Sequence, residues 1–578
     1  DYMAFSAKEA NFENDYNPAF AYDYYLDASN NLVPSYIDVY RPVDSIGYPE
    51  TSDEYGYTYS FDAIIDQCYI DEQAGGKLLY SISSENNEKT LLRGANLYFD
   101  DVSLLDNTTV IGFKAFKGSY GITLDNDSLK NVREIGDEAF FESYVENTIV
   151  LPSSLEYLGA SVFNTCIVDG DMSHLDKLTE LNNEAFYATE IEGNLILPPN
   201  IVSIGNFCFG GESESSQIVY RELVLPDSLE SIGLEAFRFC NFSNGIQFND
   251  SITSLGQGAF YGCYIGGDLN LPSSLVTTGQ AAFSNCIIEG NISIQGAPTV
   301  DKYCFKNSTI DGNVEFGEGV QNIGEQSFYY TQINGSVNFP HSLEKIGQSA
   351  FFGSSFSGKV ELLENVQSVA MRAFYGCRNI DEVYIDGSNL LSVFDPFTFN
   401  YIDPLDREIF SQCSNLKKVT FSDHCQLETW NDYFSYTAIE EITLPASINK
   451  FASGISYDTG KVIGCFDGCK NLKIITLQSL SIPELNVIDF YSYYDDNGNY
   501  GSNEGEDYGF RFGCEDNEEF KVVLPEGQED EYRNVWKYAL LGYMQNTESP
   551  NYDDEKANAL FNQIIGLNKE SEVDERID

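Results

Sequence analysis

A six-residue phrase returns along this chain about every 23 residues, and a period that short leaves few folds open. It reads Leu158-Gly-Ala-Ser-Val-Phe163, Ile204-Gly-Asn-Phe-Cys-Phe209, Ile232-Gly-Leu-Glu-Ala-Phe237, Leu255-Gly-Gln-Gly-Ala-Phe260, Ile323-Gly-Glu-Gln-Ser-Phe328 and Ile346-Gly-Gln-Ser-Ala-Phe351. From Phe140 the anchors fall at Phe163, Phe186 and Phe209, and after one 28-residue step they resume at Phe237, Phe260, Phe283, Phe305, Phe328, Phe351 and Phe374. So short a unit cannot enclose its own apolar face, so each is stable only when the next covers it. The Phe residues then form a buried column in a stacked solenoid. The Gly beside them supplies a positive φ or a close backbone approach at the corner each coil must turn.

A second column predicts a sheet. Before most corners stands an apolar-x-apolar strand, as in Ile149-Val-Leu-Pro152, Leu195-Ile-Leu-Pro198, Leu223-Val-Leu-Pro226, Leu269-Asn-Leu-Pro272, Val360-Glu-Leu362 and Val383-Tyr-Ile385. Period-two alternation turns the outer pair inward and the middle residue outward. Once per coil, such strands are parallel neighbours about 4.8 Å apart, and some fifteen coils give a sheet on the order of 70 Å long. The outward row reads Val150, Ser173, Ile196, Val224, Gln247, Asn270, Ser293, Glu315, Asn338, Glu361, Tyr384, Thr420, Thr443 and Thr476. It passes from partly aliphatic, through polar and acidic, to aromatic and Thr.

In order, the unit apolar-x-apolar-Pro-x-Ser-Leu-x-x-Ile-Gly-x-x-Ala-Phe-x-x-Cys resembles the BspA-like leucine-rich repeat of bacterial surface proteins, and Leu223 to Cys240 matches it nearly letter for letter. The resemblance covers about residues 78 to 545. Lys77-Leu-Leu-Tyr80 through Lys89-Thr-Leu-Leu92, and Lys521-Val-Val-Leu-Pro525 with Tyr532 and Trp536, are similar to the family's first and last coils. The resemblance implies a β-rich α/β leucine-rich repeat solenoid: a curved right-handed coil with one long parallel sheet and short helical or 3-10 turns at the corners. It also implies export, an extracellular or cell-surface location, and a role as an adhesin or binding protein without catalysis. Residues 1–76, rich in Tyr and Asp, are expected to be a capping segment or small β domain, residues 77–545 the solenoid, and residues 546–578 an acidic tail with a short helix. That helix is suggested by Ala557, Leu560, Phe561, Ile564, Ile565 and Leu567 at helical spacing.

The chain departs from the family pattern after the Cys position. Cys377-Arg-Asn-Ile380 places its apolar residue at three, but Ile265-Gly-Gly267, Ile288-Glu-Gly290, Ile310-Asp-Gly312 and Ile333-Asn-Gly335 place it at two and follow with Gly. A distinct return leg with a second Gly corner follows, changing near residue 375. Seven of the thirteen Cys (Cys166, Cys240, Cys263, Cys286, Cys377, Cys413, Cys469) stand three after an anchor, where other coils carry Ser143, Ser308, Ser354, Thr189 or Thr331. A site that takes Cys, Ser and Thr alike calls for a small, weakly hydrogen-bonding side chain, so these read as free buried thiols. Cys465 and Cys469 lack the second pair or His a zinc site requires.

Lys and Arg total 32 against 90 Asp and Glu, a net charge of −58, which excludes nucleic acid and disfavours anionic membrane surfaces. No run approaches the ~20 apolar residues of a membrane span, and the chain opens at Asp1 without a leader, as a mature or trimmed chain does. Three His and the absence of nucleophile-elbow, zinc-helix and phosphate-loop motifs argue against an enzyme. His174 falls where other coils carry Leu197 or Leu225 and is expected to be buried.

Insertions near 387–409, 452–464 and 481–519 break the period, and such loops often bind. In the last, Asp495, Asn497, Asn499 and Glu506 fall at calcium-loop positions, but Tyr500 occupies the required Gly, so a solvated acidic loop without metal is expected. Neither cofactor nor metal is expected. Ligand contact is expected at Tyr384, Glu361 and Asn338 on the outward row and at Phe394, Phe397, Phe399 and Tyr401 in the first insertion. Alternatively those aromatics seal the junction between two repeat subtypes. The partner would be a protein or glycan on a host cell, matrix or neighbouring bacterium, with the chain acting as a monomer. The competing class is a parallel β-helix enzyme that degrades polysaccharide, disfavoured by the Ile-Gly-x-x-Ala-Phe corner.

Overall fold

The computed structural model describes most of residues 102–565, apart from 214–217, 221–222, 391–392, 396–399, 403–406, 456–461, 480, 488–509, 515–516 and 541–553, and it describes separate stretches between 24 and 95. The chain is a parallel-strand solenoid of about 14 turns with little helix. It divides into two compact units, Asp1–Ile252 and Thr253–Asp578.

A coil of the solenoid carries up to three strands, each only a few residues long. In the second unit the expected apolar-x-apolar strands Leu269–Leu271, Ile292–Ile294, Val314–Phe316 and Val337–Asn338 pair in parallel, with Asn270 opposite Ser293 and Glu315 opposite Asn338. A corner ladder joins Thr299–Val300, Asn322–Ile323, Lys345–Ile346 and Ser368–Val369. A return-leg ladder joins Tyr264–Ile265, Ile287–Ile288, Thr309–Ile310 and Gln332–Ile333. The strand face continues through Gly358–Leu362, Ile380–Ile385 and Lys418–Phe421, then through Glu441–Leu444, Ile474–Leu477 and Lys521–Val523. The first unit repeats the scheme, with Glu180–Leu181, Ser203–Ile204 and Ser231–Ile232 as a corner ladder and Leu195 opposite Leu223 on the strand face. Its ladder opens on the antiparallel strands Gln67–Gln73, Gly76–Ile82 and Lys89–Ala95.

The anchor Phe residues are buried and stack face to face. In the first unit Phe116, Phe140, Phe163, Phe186, Phe209 and Phe237 have successive ring centroids 5.0–5.6 Å apart. In the second, Phe260, Phe283, Phe305, Phe328, Phe351, Phe374, Phe410 and Phe434 are 4.9–5.4 Å apart. The coil spacing of roughly 4.8 Å sets that distance and leaves room for little but a flat ring laid on its neighbour.

Of the two roles open to the corner Gly, close approach prevails. A Cβ on Gly347 would sit 2.7 Å from the backbone N of Glu325 and 2.8 Å from the carbonyl carbon of Gly324, and Gly136, Gly159, Gly205 and Gly324 are equally crowded by the preceding coil. The positive φ falls two residues later, on Glu138, Ser161, Glu184, Gln326, Ser349 and Arg372, with φ between 52° and 58°. A second left-handed column follows each anchor by two, at Glu142, Asn307 and Tyr330 among others. Side chains carry this conformation because the backbone there bonds to the next coil, as in Gln326 N–H to Gln348 O at 3.0 Å and Tyr330 N–H to Phe352 O at 2.8 Å.

The Cys, Ser and Thr column has one job throughout. Each side chain donates to the anchor Phe carbonyl of the preceding coil: Thr189 to Phe163 O at 2.8 Å, Cys286 to Phe260 O at 3.0 Å, Ser308 to Phe283 O at 2.8 Å, Thr331 to Phe305 O at 2.7 Å and Cys377 to Phe351 O at 3.0 Å. Twelve of the cysteines among the described residues are buried thiols outside any disulfide. At the return-leg corner, Asn and Asp side chains form a similar ladder: Asn291 N–H donates to Asp268 Oδ1 at 2.7 Å, and Asn313 N–H to Asn291 Oδ1 at 2.9 Å.

Two sequence expectations are corrected. His174 is exposed, with Nε2 2.7 Å from Leu151 O, and the inward site belongs to Met172. Correspondingly, Asp171 and not Ser173 stands opposite Ile196 in the outward row. This coil replaces the first apolar strand residue by Gly170, whose missing Cβ would collide with Asn194 O, and the apolar-x-apolar pattern is lost. At the far end, helix α1 (Glu529–Leu540) buries Tyr532 and Trp536, the indole donating to Pro483 O at 2.7 Å. Helix α2 (Asp554–Ile564) buries Ala557, Phe561 and Ile564, and Arg533 of α1 lies over the Phe561 ring.

Candidate ligand-binding surface

The expected contact residues divide between ladder and insertion. Glu361 and Tyr384 are direct partners in the strand-face ladder, and Tyr384 is followed by Thr420. Asn338 closes the preceding ladder opposite Glu315. Lys359 organises the patch: its Nζ lies 2.7 Å from Glu361 and 3.8 Å from Glu382, and 5.3 Å from the centre of the Tyr384 ring. Lys418 reaches Glu382 at 3.0 Å. Tyr384 is half-buried, and burial followed by the nearby Asp386 raises its hydroxyl pKa. In the insertion, Val393–Asp395 and Asn400–Ile402 form an antiparallel hairpin that places Phe394 opposite Tyr401, while Phe397 and Phe399 lie outside the described residues. The insertion begins after Leu390, which is buried as a coil residue, and the coil resumes at Glu408, whose φ of 54° restores the left-handed column. The acidic segment 491–506 also lies outside the described residues.

A second surface was not anticipated. In the left-handed column after the anchors, Tyr330 and Gln412 bracket Gly353 and Gly376, so two successive coils lack a side chain there. The notch is a groove of about 590 Å³. Tyr330 leans over Gly353, where a Cβ would lie 2.6 Å from two of its ring carbons, while Gly376 has no close neighbour. One position back, Tyr329, Phe352 and Tyr375 stack outside the core at 5.1 and 4.8 Å, and Tyr330 meets Phe352 edge-on at 5.4 Å. Burial and the neighbouring Glu408 raise the Tyr375 pKa, and Gln412 hydrogen-bonds its hydroxyl. Arg378 and Asn379 complete the rim. The signal lay in the two positions after each anchor, which read Lys306-Asn307 and Ser284-Asn285 in neighbouring coils but Tyr329-Tyr330, Phe352-Gly353 and Tyr375-Gly376 here.

Among the described residues no group of three or more His, Cys, Asp or Glu could hold a metal ion, and no helix is long and apolar enough to cross a membrane. His341 pairs with Glu364 at 2.9 Å on an exposed surface. Burial raises the thiol pKa values, to about 12 for Cys166 and Cys413.

Fold and surface together define a repeat protein whose buried columns are uniform and whose outward residues vary. The family can be stated as well. A model for the BspA-type leucine-rich repeat region matches residues 95–216, 215–334, 298–405 and 322–463, more than half of the chain, and the chain belongs to that family. Among solved structures it is similar to a leucine-rich repeat protein from Bacteroides ovatus, with 18% identity, TM-score 0.42, and coverage of 81% of this chain and 100% of the other. It is also similar to the pneumococcal vaccine antigen PcpA (15%, TM-score 0.30, 66% and 93%) and to a leucine-rich cell surface protein from Faecalibacterium prausnitzii (14%, TM-score 0.28, 76% and 100%). No curated protein matches the chain.

Proposed function

We propose that this chain is an exported, non-catalytic binding protein that acts at the cell surface or outside the cell and engages a protein or glycan through the outward residues of its second unit. Membership of the BspA-type family supports export. The observation that carries the binding reading is the row of half-exposed aromatics Tyr329, Phe352 and Tyr375, which stand where adjacent coils hold Lys306 or Ser284, together with the half-exposed Tyr384 on the strand face. Exposed aromatic side chains supply large contact area at small entropic loss and dominate interface energetics. The surrounding charge is acidic, which favours basic or neutral protein partners at the Glu361 and Tyr384 patch. A glycan and protein array probed with the whole chain tests the reading: a hit weakened by Tyr384→Ala with an unchanged melting temperature supports it. An array without hits, or release of reducing ends from a polysaccharide, overturns it.

A further inference from the structure

The groove cut by Gly353 and Gly376 differs in charge from the molecule around it. In a chain with 90 acidic and 32 basic residues, no carboxylate lines this groove, and Arg378 on its rim has no acidic partner among the described residues. Glu408, whose charge acts on Tyr375, is engaged by the Arg372 guanidinium. Asn379 donates Nδ2 to Ser355 O at 2.6 Å, which fixes the amide and leaves its carbonyl oxygen for a ligand. The wall is aromatic, and the opening is two coils wide, roughly 10 Å from the coil spacing.

We propose that this groove binds a sugar residue bearing a carboxylate, with the Tyr330, Phe352 and Tyr375 rings against its C–H face, Arg378 on the carboxylate and Asn379 on a hydroxyl. A guanidinium presents two parallel N–H groups that match a carboxylate, and in an otherwise acidic surface an unpaired Arg selects one anionic group while polyanions are repelled. An open groove with an amide acceptor and guanidinium donors suits a hydroxylated ring better than a purely apolar side chain. The proposal rests on the binding reading above and names the ligand class for one of its surfaces.

Calorimetric titration of the whole chain with sialyllactose, a glucuronic-acid-terminated disaccharide and lactose tests it, the first two separating the sources of the carboxylate. One acidic sugar should bind at least about tenfold more tightly than lactose, and Arg378→Gln should remove about that factor, the usual effect of losing a charge-assisted pair. Gly376→Asn should abolish binding while the fold is kept, because Asn285 and Asn307 hold the same column at φ 57° and 55°. An acidic sugar bound no better than lactose, or bound equally by either variant, overturns the proposal, as does a carboxylate-ended peptide that binds the groove where the sugars do not. Array ligands that depend on Tyr384 while the sugars fail would end this inference alone, and a chain that binds nothing would end both.

Discussion

Phe283 lies between Phe260 at 5.3 Å and Phe305 at 5.4 Å, with rings within 9° of parallel. Because backbone hydrogen bonds run from coil to coil on both sides, such as Phe283 N–H to Cys304 O at 2.8 Å, the neighbours cannot collapse into the space left by truncation. Phe283→Ala should therefore cost about 3–5 kcal/mol, read from denaturant midpoints, and a loss below about 1 kcal/mol would contradict the stacked spine. Three residues on, the thiol of Cys286 is held well above the usual thiol pKa, chiefly by burial. Since the thiolate is the reactive form, native Cys166, Cys286 and Cys413 should resist alkylation at pH 8, and all should titrate as free thiols once unfolded. Rapid native modification would place the column at the surface. Both columns were legible in the sequence because one inward environment accepts only a flat ring, or only a small donor, in coil after coil.

At the scale of the element the sequence was less informative, and the corner shows why. The Gly of Ile-Gly-x-x-Ala-Phe was readable as a close approach or a positive φ, and only coordinates separate them: the crowding comes from the preceding coil, remote in sequence. Gly347→Ala should cost about 1–3 kcal/mol, since the added Cβ meets unyielding backbone at 2.7–2.8 Å. Thermal unfolding checks this, and an unchanged midpoint would mean that the coils can part. The left-handed positions were invisible because they carry Glu, Ser, Gln, Arg and Tyr, residues with no preference for that region; a penalty of roughly 1–2 kcal/mol per residue is offset by hydrogen bonds to the next coil. The shifted strand of the Met172 coil escaped for a related reason, since Gly170 removes the apolar residue by which that strand would be recognised. Of the contact surface, the pairing of Glu361 with Tyr384 was readable from the period. The groove was not, because it is made by two missing side chains.

For the whole molecule, a net charge of −58 and a uniform core leave binding specificity to the places where the repeat is interrupted. One such interruption in the sequence is the segment between Leu390 and Arg407, which stands where an ordinary coil such as Leu343 to Gln348 needs only Glu344-Lys-Ile-Gly347. The corner ladder of Asn322–Ile323, Lys345–Ile346 and Ser368–Val369 ends in the coil before this segment. Replacing residues 391–406 by Glu-Lys-Ile-Gly gives a regular coil and removes Phe394, Phe397, Phe399 and Tyr401 together. If these aromatics serve a ligand, the variant should melt as the parent does and lose adhesion to host cells or matrix proteins, and parental adhesion should weaken as salt screens the acidic patch between roughly 0.05 and 0.5 M. Should they instead seal the solenoid, the same replacement lowers the melting temperature, because an apolar junction has been removed. A stable variant that adheres undiminished would remove the insertion from the binding surface and leave the Tyr384 patch and the groove to carry it.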